Sequence, residues 1–238
     1  MKRIFCGVLI LGLSSTCVAN GLQSFFEQSN AFLEKYVNQG AVAYSSVGKN
    51  IGEAEKLYVQ IGSMDLSGAS EAEKKAFYIN AYNLVVIYFV AKHYPLKSPM
   101  DASGFFDKVR HKVAGEQLTL NALEIKKLLQ PYKDARVHFV LACAAKSCPP
   151  LASFAYQPDK LEQQLSARTT LALNDPSWIK VMQSKKTVEV SKIFEWYKDD
   201  FTHGGKSTLE WINTYRKEKI PASYKVGYYE YNWALNEQ

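Results

Sequence analysis

One apolar stretch, VHFVLACAAKSCPPL, carries His138, Cys143 and Cys148, and four residues separate the two cysteines. These residue types at this spacing support three chemistries. The first is a disulfide. A turn of this length brings two Cα atoms within the ~4.4–6.8 Å that the bond needs. Because the closed loop is short, the entropic gain is well under the ~3 kcal/mol expected for a fifteen-residue loop, so such a bond would shape a loop rather than hold a domain. The second is a thiol nucleophile at Cys148. Ser147 would cap a helical turn and Pro149 suits its first position, which places the thiol at a helix N-terminus, where a thiolate is favoured. Lys146 adds positive charge, and His138 would be the base, oriented by an amide or a carboxylate. The third is a metal clip. His138, Cys143 and Cys148 supply three ligands without paired CxxC or HxxxH spacing, so His111 or His203 would have to complete the set by tertiary approach. Thiol redox chemistry is a further class, and a spacing of four is not the usual CxxC.

The orienting group has several candidates. Asn80 and Asn83 in AFYINAYN lie three apart and share one helix face. A buried amide without partners costs about 1–3 kcal/mol, so these two either pin a neighbouring backbone or face a pocket. Glu195 and Asp200 in SKIFEWYKDDF offer a carboxylate. His93 suits a helix C-terminus, where the dipole favours a cation. His203 lies in a Gly-rich turn before a helix, and the tyrosines near the C-terminus read as packing.

These groups need elements to hold them. Residues 22–38 show apolar positions at helical spacing with Gly40 beyond, and residues 51–62 form a weaker helix. Ser70 and Glu73 make a capping box for a helix from Glu71 to His93, ending before Pro95. Its run KAFYINAYNLVVIYFVA has no polar face, which predicts a helix buried on all sides. Residues 105–120 read as a hairpin around AGE, and Asn121 and Glu124 as caps of a short helix ended by Pro131. RVHFVLAC reads as a central strand. A helix over 159–173, a hairpin turning at Ser184–Lys186, a capped helix opened by Ser207 and Glu210, and a terminal strand in YKVGYYEYNWALN follow. Helices and hairpins alternate without a βαβ rhythm. The predicted class is α+β, a single domain with a largely antiparallel sheet packed around one long buried helix.

The 238 residues are 47% hydrophobic and 22% charged, which is enough for one globular unit with a real core. The N-terminus reads differently. MKR is a basic start, IFCGVLILGLSS an apolar stretch too short to span a bilayer, and TCVAN a small-residue cleavage site. Cleavage after Ala19 is predicted, so residues 1–19 are a signal peptide, 20–69 a helical segment packed on the core, and 70–238 the core domain. A lipid anchor on Cys17 is the alternative, with Thr16 an unfavourable residue just before it. Export places the protein in the periplasm or outside the cell and leaves Cys143 and Cys148 as the last two cysteines, which favours a disulfide. Removal of Lys2 and Arg3 lowers the formal net charge from +6 by two, to +4. That mild balance, with no basic run, does not argue for nucleic acid, and none is expected as a partner. No transmembrane span remains after cleavage.

AFYINAYN, VHFVLACAAKSCPPL, SKIFEWYKDDF and the terminal YNWALN, taken in this order, resemble the uncharacterised conserved family Domain of Unknown Function 547 over residues 70–236. The resemblance implies kinship rather than a known activity. Asn80, Asn83, His138, Cys148, Pro149, Asp200 and Tyr231 match its motif residues. Ala144 stands where the family has glycine, and Asn232 where it has aspartate.

The function expected from the residues is a thiol-dependent hydrolase or acyl/amide transferase. Cys148 is its nucleophile, His138 its base, and Asn80, Asn83 or Asp200 the orienting groups. The alternative is a non-catalytic binding domain with a structural Cys143–Cys148 disulfide. Neither reading calls for a cofactor or a metal, and the partner in both is a small molecule or a peptide.

Overall fold

A helix with no polar face has to be enclosed, and the fold is built to enclose one. The computed structural model describes the backbone of residues 13–238 and the side chains of residues 21–238. The expected signal segment, with Cys6, Cys17 and the residue at the cleavage site, Ala19, lies outside the residues whose side chains are described.

The N-terminal layer is α1 (Leu13–Tyr36), α2 (Tyr44–Lys49) and α3 (Ile51–Ser63). Between the first two, β1 (Val37–Asn38) and β2 (Ala41–Val42) form a short antiparallel ladder turned at Gln39 and Gly40. Gly40 has φ 86°, and a Cβ there would lie 2.6 Å from that of Pro150. Only glycine lets the cysteine loop approach this turn so closely.

Then comes α4 (Glu71–Lys92), opened by the capping box: Ser70 Oγ accepts the Glu73 N–H, and the Glu73 carboxylate accepts the Ser70 N–H at 2.7 Å. Phe77, Ile79, Val85, Val86 and Ile87 are fully buried. Phe25 of α1 meets Phe77 at 5.1 Å between ring centroids. The enclosing partners of α4 therefore come from both the N-terminal layer and the later chain.

The hairpin is β3 (His111–Val113) and β4 (Glu116–Leu118), turned at Ala114–Gly115. It is shorter than expected, because residues 105–108 form turns and the ladder begins at His111. Next is α5 (Leu120–Glu124), whose cap is Thr119, not Asn121: Thr119 Oγ1 accepts the Ala122 N–H at 3.1 Å. This frees Asn121 and Glu124 for other contacts. A π-helical turn (Ile125–Leu129) and α6 (Gln130–Tyr132) continue the helix, and Pro131 sits in its last turn instead of ending it before that point.

The expected central strand RVHFVLAC is not a strand. Ala135–Phe139 is a 3₁₀ helix. Asp134 caps it, accepting the Arg136 N–H at 3.0 Å, and the same carboxylate pairs with Lys75 and the Arg136 guanidinium, each at 2.7 Å. Local capping and ion pairing hold a tight turn where apolar character alone suggests a sheet. Side chains of this segment divide between two cores. Val137, Val140 and Leu141 pack with α4, while Ala135 and Phe139 pack with the C-terminal half.

That half holds α7 (Leu161–Asn174), β5 (Ile179–Met182), β6 (Thr187–Val190), α8 (Ile193–Trp196), α9 (Lys198–Thr202), α10 (Thr208–Tyr215) and β7 (Lys225–Tyr228). β6 is central, antiparallel to β5 and parallel to β7. Ser207 and Glu210 form the expected capping box of α10. The class is α+β, with the strands in three small, mostly antiparallel sheets rather than one sheet wrapped around α4. Among the described residues, no helix is long and apolar enough to cross a membrane.

Candidate functional site

The site is assembled on loop backbone that α4 holds in place. The Asn83 amide donates to the Val140 carbonyl at 2.8 Å, and its oxygen accepts the Ala142 N–H at 2.7 Å. Asn80 does the same one turn earlier for Tyr156, with distances of 2.8 and 2.9 Å. Both asparagines are buried. Of the two roles open to them, they pin backbone.

Beyond Ala142 the chain enters the cysteine loop. Cys143 and Cys148 are joined by a disulfide with Cα atoms 6.0 Å apart. Ala144 turns the loop with φ 59°, the left-handed region. The resemblance expects glycine there, and glycine takes that conformation without steric strain. Cys148 is buried, and its sulfur accepts the Cys143 N–H at 3.1 Å. No helix follows Cys148. Pro149 disfavours the helical conformation of the residue before it, and residues 149–157 form neither helix nor strand. The helix N-terminus expected to lower the Cys148 thiol pKa is therefore missing. Asn232, where aspartate was expected, accepts the Ala234 N–H at 2.9 Å and so shapes the C-terminal turn. A carboxylate would accept the same bond.

His138 lies just upstream, buried between two acids. Its Nε2 is 2.7 Å from Asp200 Oδ2, and its Nδ1 faces Glu124 Oε1 at 3.6 Å. The ring packs on Tyr197 at 4.2 Å between centroids. Thus Asp200 is the group that orients His138, and the amides of Asn80 and Asn83 are engaged elsewhere. Burial raises the Glu124 pKa and outweighs the opposing pull of His138. Glu124 was legible only as a helix-capping residue. The two-residue shift of the cap to Thr119 turns it inward.

Above this floor opens a cleft of about 400 Å³, walled by Tyr82, Phe106, Trp196, Tyr197, Tyr231 and Trp233. Trp196, Tyr231 and Trp233 pack on one another with centroids 4.7–5.9 Å apart. Cys143 is the cysteine that lines the cleft, and the Tyr231 hydroxyl lies 3.0 Å from its sulfur. Cys148 lines a smaller cavity on the other side, beside Gly40 and Pro150. A second groove, of about 830 Å³, shares Trp196 and Tyr197 with the cleft and is lined by Lys133, Lys198 and His203 and by the acids Glu195, Asp199 and Asp200.

The sequence-predicted residues thus separate. His138 and Cys143 line the cleft, and Asp200 reaches His138 from the neighbouring groove. Cys148 backs it, and Asn80 and Asn83 support it from beneath. His111 is buried beside Tyr58 in a different part of the fold, at 3.2 Å from its hydroxyl. His93 caps α4, its Nδ1 2.8 Å from the Phe89 carbonyl. Among the described residues, no group of three or more His, Cys, Asp and Glu is placed to hold a metal ion.

No curated protein and no solved structure matches the chain. The expected motifs SKIFEWYKDDF and YNWALN lie beyond the span that does match a family model. Residues 66–171, which carry α4, Glu124, His138 and both cysteines, match the family described as "Protein of unknown function, DUF547", and it is this uncharacterised family that the chain resembles.

Proposed function

We propose that the protein is an exported ligand-binding domain that takes a small molecule into the aromatic cleft over Glu124 and His138. One observation carries the reading: an apolar cavity of about 400 Å³ with two convergent polar groups at its floor and a disulfide in its wall. Cavities of roughly 300–1,000 Å³ with apolar walls and few placed polar groups are the usual form of a small-molecule site. The disulfide fixes the wall and fits an oxidising compartment, which agrees with the signal-like N-terminus.

A second reading, a thiol-dependent hydrolase or acyl/amide transferase, is favoured by the pairing of buried His138 with the partly exposed Asp200 at 2.7 Å. It needs a reduced cysteine pair. On this reading the nucleophile would be Cys143, the cysteine that lines the cleft, rather than Cys148.

Thiol counting with mass spectrometry on protein taken from its native compartment separates the two, combined with ligand-induced change in tryptophan emission. The binding domain predicts a bonded pair, a mature N-terminus at Asn20, and emission changes that are lost in Trp233→Leu. A free Cys143 labelled faster than model thiols, with ester turnover abolished by Cys143→Ser, establishes the enzyme instead. Met1 retained on a cytosolic protein removes the export part of the proposal.

A further inference from the structure

We propose that the cleft receives a small organic ammonium ion, a quaternary or N-methylated amine, held between the Trp196–Tyr231–Trp233 wall and the Glu124 carboxyl. The inference rests on the ligand-binding reading above and names its ligand class.

Three features of the lining point to a cation. Six aromatic side chains border the cavity, and their negative ring faces attract an ammonium, most strongly where water is excluded. Among the described residues that line it, none is lysine or arginine. Glu124 contributes a buried carboxyl, and the imidazole beside it, His138 at 3.6 Å, is already engaged by Asp200 at 2.7 Å. In the empty cleft burial favours the protonated carboxyl, and a bound ammonium ion would supply the countercharge that stabilises the carboxylate.

The lining also argues against other small ligands. An anion would meet Glu124 with no lysine or arginine in the lining to offset it. A sugar carries many hydroxyls that must be paired when buried. The cavity offers few partners for them: the side chains of Asn121, Glu124 and His138, and tyrosine hydroxyls of which that of Tyr231 already contacts Cys143. A methylated ammonium needs no hydrogen bonds and presents an apolar, positively charged surface, which matches aromatic rings beside one carboxyl.

The test uses the full mature chain with its disulfide intact. Tryptophan emission and calorimetry are followed with choline, tetramethylammonium, the uncharged choline isostere 3,3-dimethyl-1-butanol, methyl glucoside and benzoate, all at constant ionic strength. The expected result is binding of choline and tetramethylammonium, with choline at least about tenfold tighter than its uncharged isostere. Glu124→Gln and Trp233→Leu should each weaken choline by about tenfold. Trp196→Leu, at a side chain that is 47% exposed and so expendable for folding, should do the same if either of those variants fails to fold. Isostere binding as tight as choline, or binding of methyl glucoside or benzoate without the ammonium ions, overturns the cation and leaves a binding cleft. Silence with all five probes overturns the cation and the ligand-binding reading together.

Discussion

Asn83 replaces a strand neighbour for the segment that carries His138: its amide donates to the Val140 carbonyl at 2.8 Å and accepts the Ala142 N–H at 2.7 Å. One side chain thereby satisfies two buried backbone groups that have no sheet partner. Leucine at this position fills the volume and orphans both groups. Asn83→Leu should therefore lower stability by about 2–6 kcal/mol, since each unpaired buried group costs about 1–3 kcal/mol. Asn80→Leu should behave alike through Tyr156. Urea unfolding midpoints decide it. Variants that unfold with the parent but lose ligand would mean that these amides serve the cleft and not the backbone.

Ala144 carries a side chain in the left-handed region, φ 59°. That conformation costs an L-residue about 1–2 kcal/mol. Glycine removes the strain but gains freedom in the unfolded chain, which takes back about 0.4–1 kcal/mol. Ala144→Gly should thus be a mildly stabilising change of about 0.5–1 kcal/mol, read from the shift in thermal midpoint. A destabilised variant would show that the loop does not hold this φ in solution.

The two cysteines are not equivalent in their surroundings. Reduction opens a loop closed across five residue positions, and the chain-entropy model puts its worth at about 2 kcal/mol. Cys143→Ser and Cys148→Ser should show that same modest loss. Their reactivities should differ. In Cys148→Ser the free Cys143 lines the cleft and should alkylate readily. In Cys143→Ser the free Cys148, only 5% exposed, should stay slow until the protein unfolds. Iodoacetamide labelling followed by mass spectrometry measures both. Rates in the opposite order would return the reactive position to Cys148.

Acid should find a weak point at Asp134. Burial pushes its pKa up, but bonds from Arg136 and Lys75 outweigh that and bring it to about 2. The folded pKa lies below the ordinary value, so the stabilisation is complete above pH ~4. It declines as pH falls toward about 2 and is gone below it. Asp134→Asn should remove that part of the acid sensitivity. It should also cost about 3–5 kcal/mol at neutral pH, because it strands the buried Lys75 ammonium. Arg136 keeps Glu162 at 2.7 Å. Stability measured from pH 2 to 7 in both proteins tests the window.

Periodicity and capping exposed the helical frame because those signals are local. The Ser70–Glu73 box and the unbroken apolar run after it mark α4 to within a residue of its observed end at Lys92. RVHFVLAC misled because an apolar run reports burial and not conformation. The deciding partners, Lys75 and Asn83, are distant in sequence. Glu124 and the three rings of the cleft wall were hidden for the same reason. Trp196, Tyr231 and Trp233 come from α8 and from the segment after β7, and only the packing of the C-terminal half joins them. His138 and Asp200, 62 positions apart, were each visible as candidates, but their pairing was not.

That pairing sets the proton on His138. With Nε2 at 2.7 Å from the Asp200 carboxylate, a neutral ring must carry its hydrogen on Nε2 to donate it. The Nδ1 lone pair then faces Glu124, whose burial favours the protonated carboxyl. Nitrogen-15 spectra of histidine-labelled protein at pH 8 should show the Nε2–H tautomer for His138. Asp200→Ala should yield a mixture of tautomers with the fold unchanged, because Asp200 is partly exposed and its other contacts are few. A His138 protonated on Nδ1 in the parent protein would reverse the assignment. The ring would then donate toward Glu124 and accept toward Asp200, which a carboxylate allows only when it is itself protonated. The tautomer also decides what the cleft can do. Nε2–H leaves a basic nitrogen beside Glu124 under the aromatic wall, able to take a proton from a bound ligand, while Nδ1–H leaves no free base on that side.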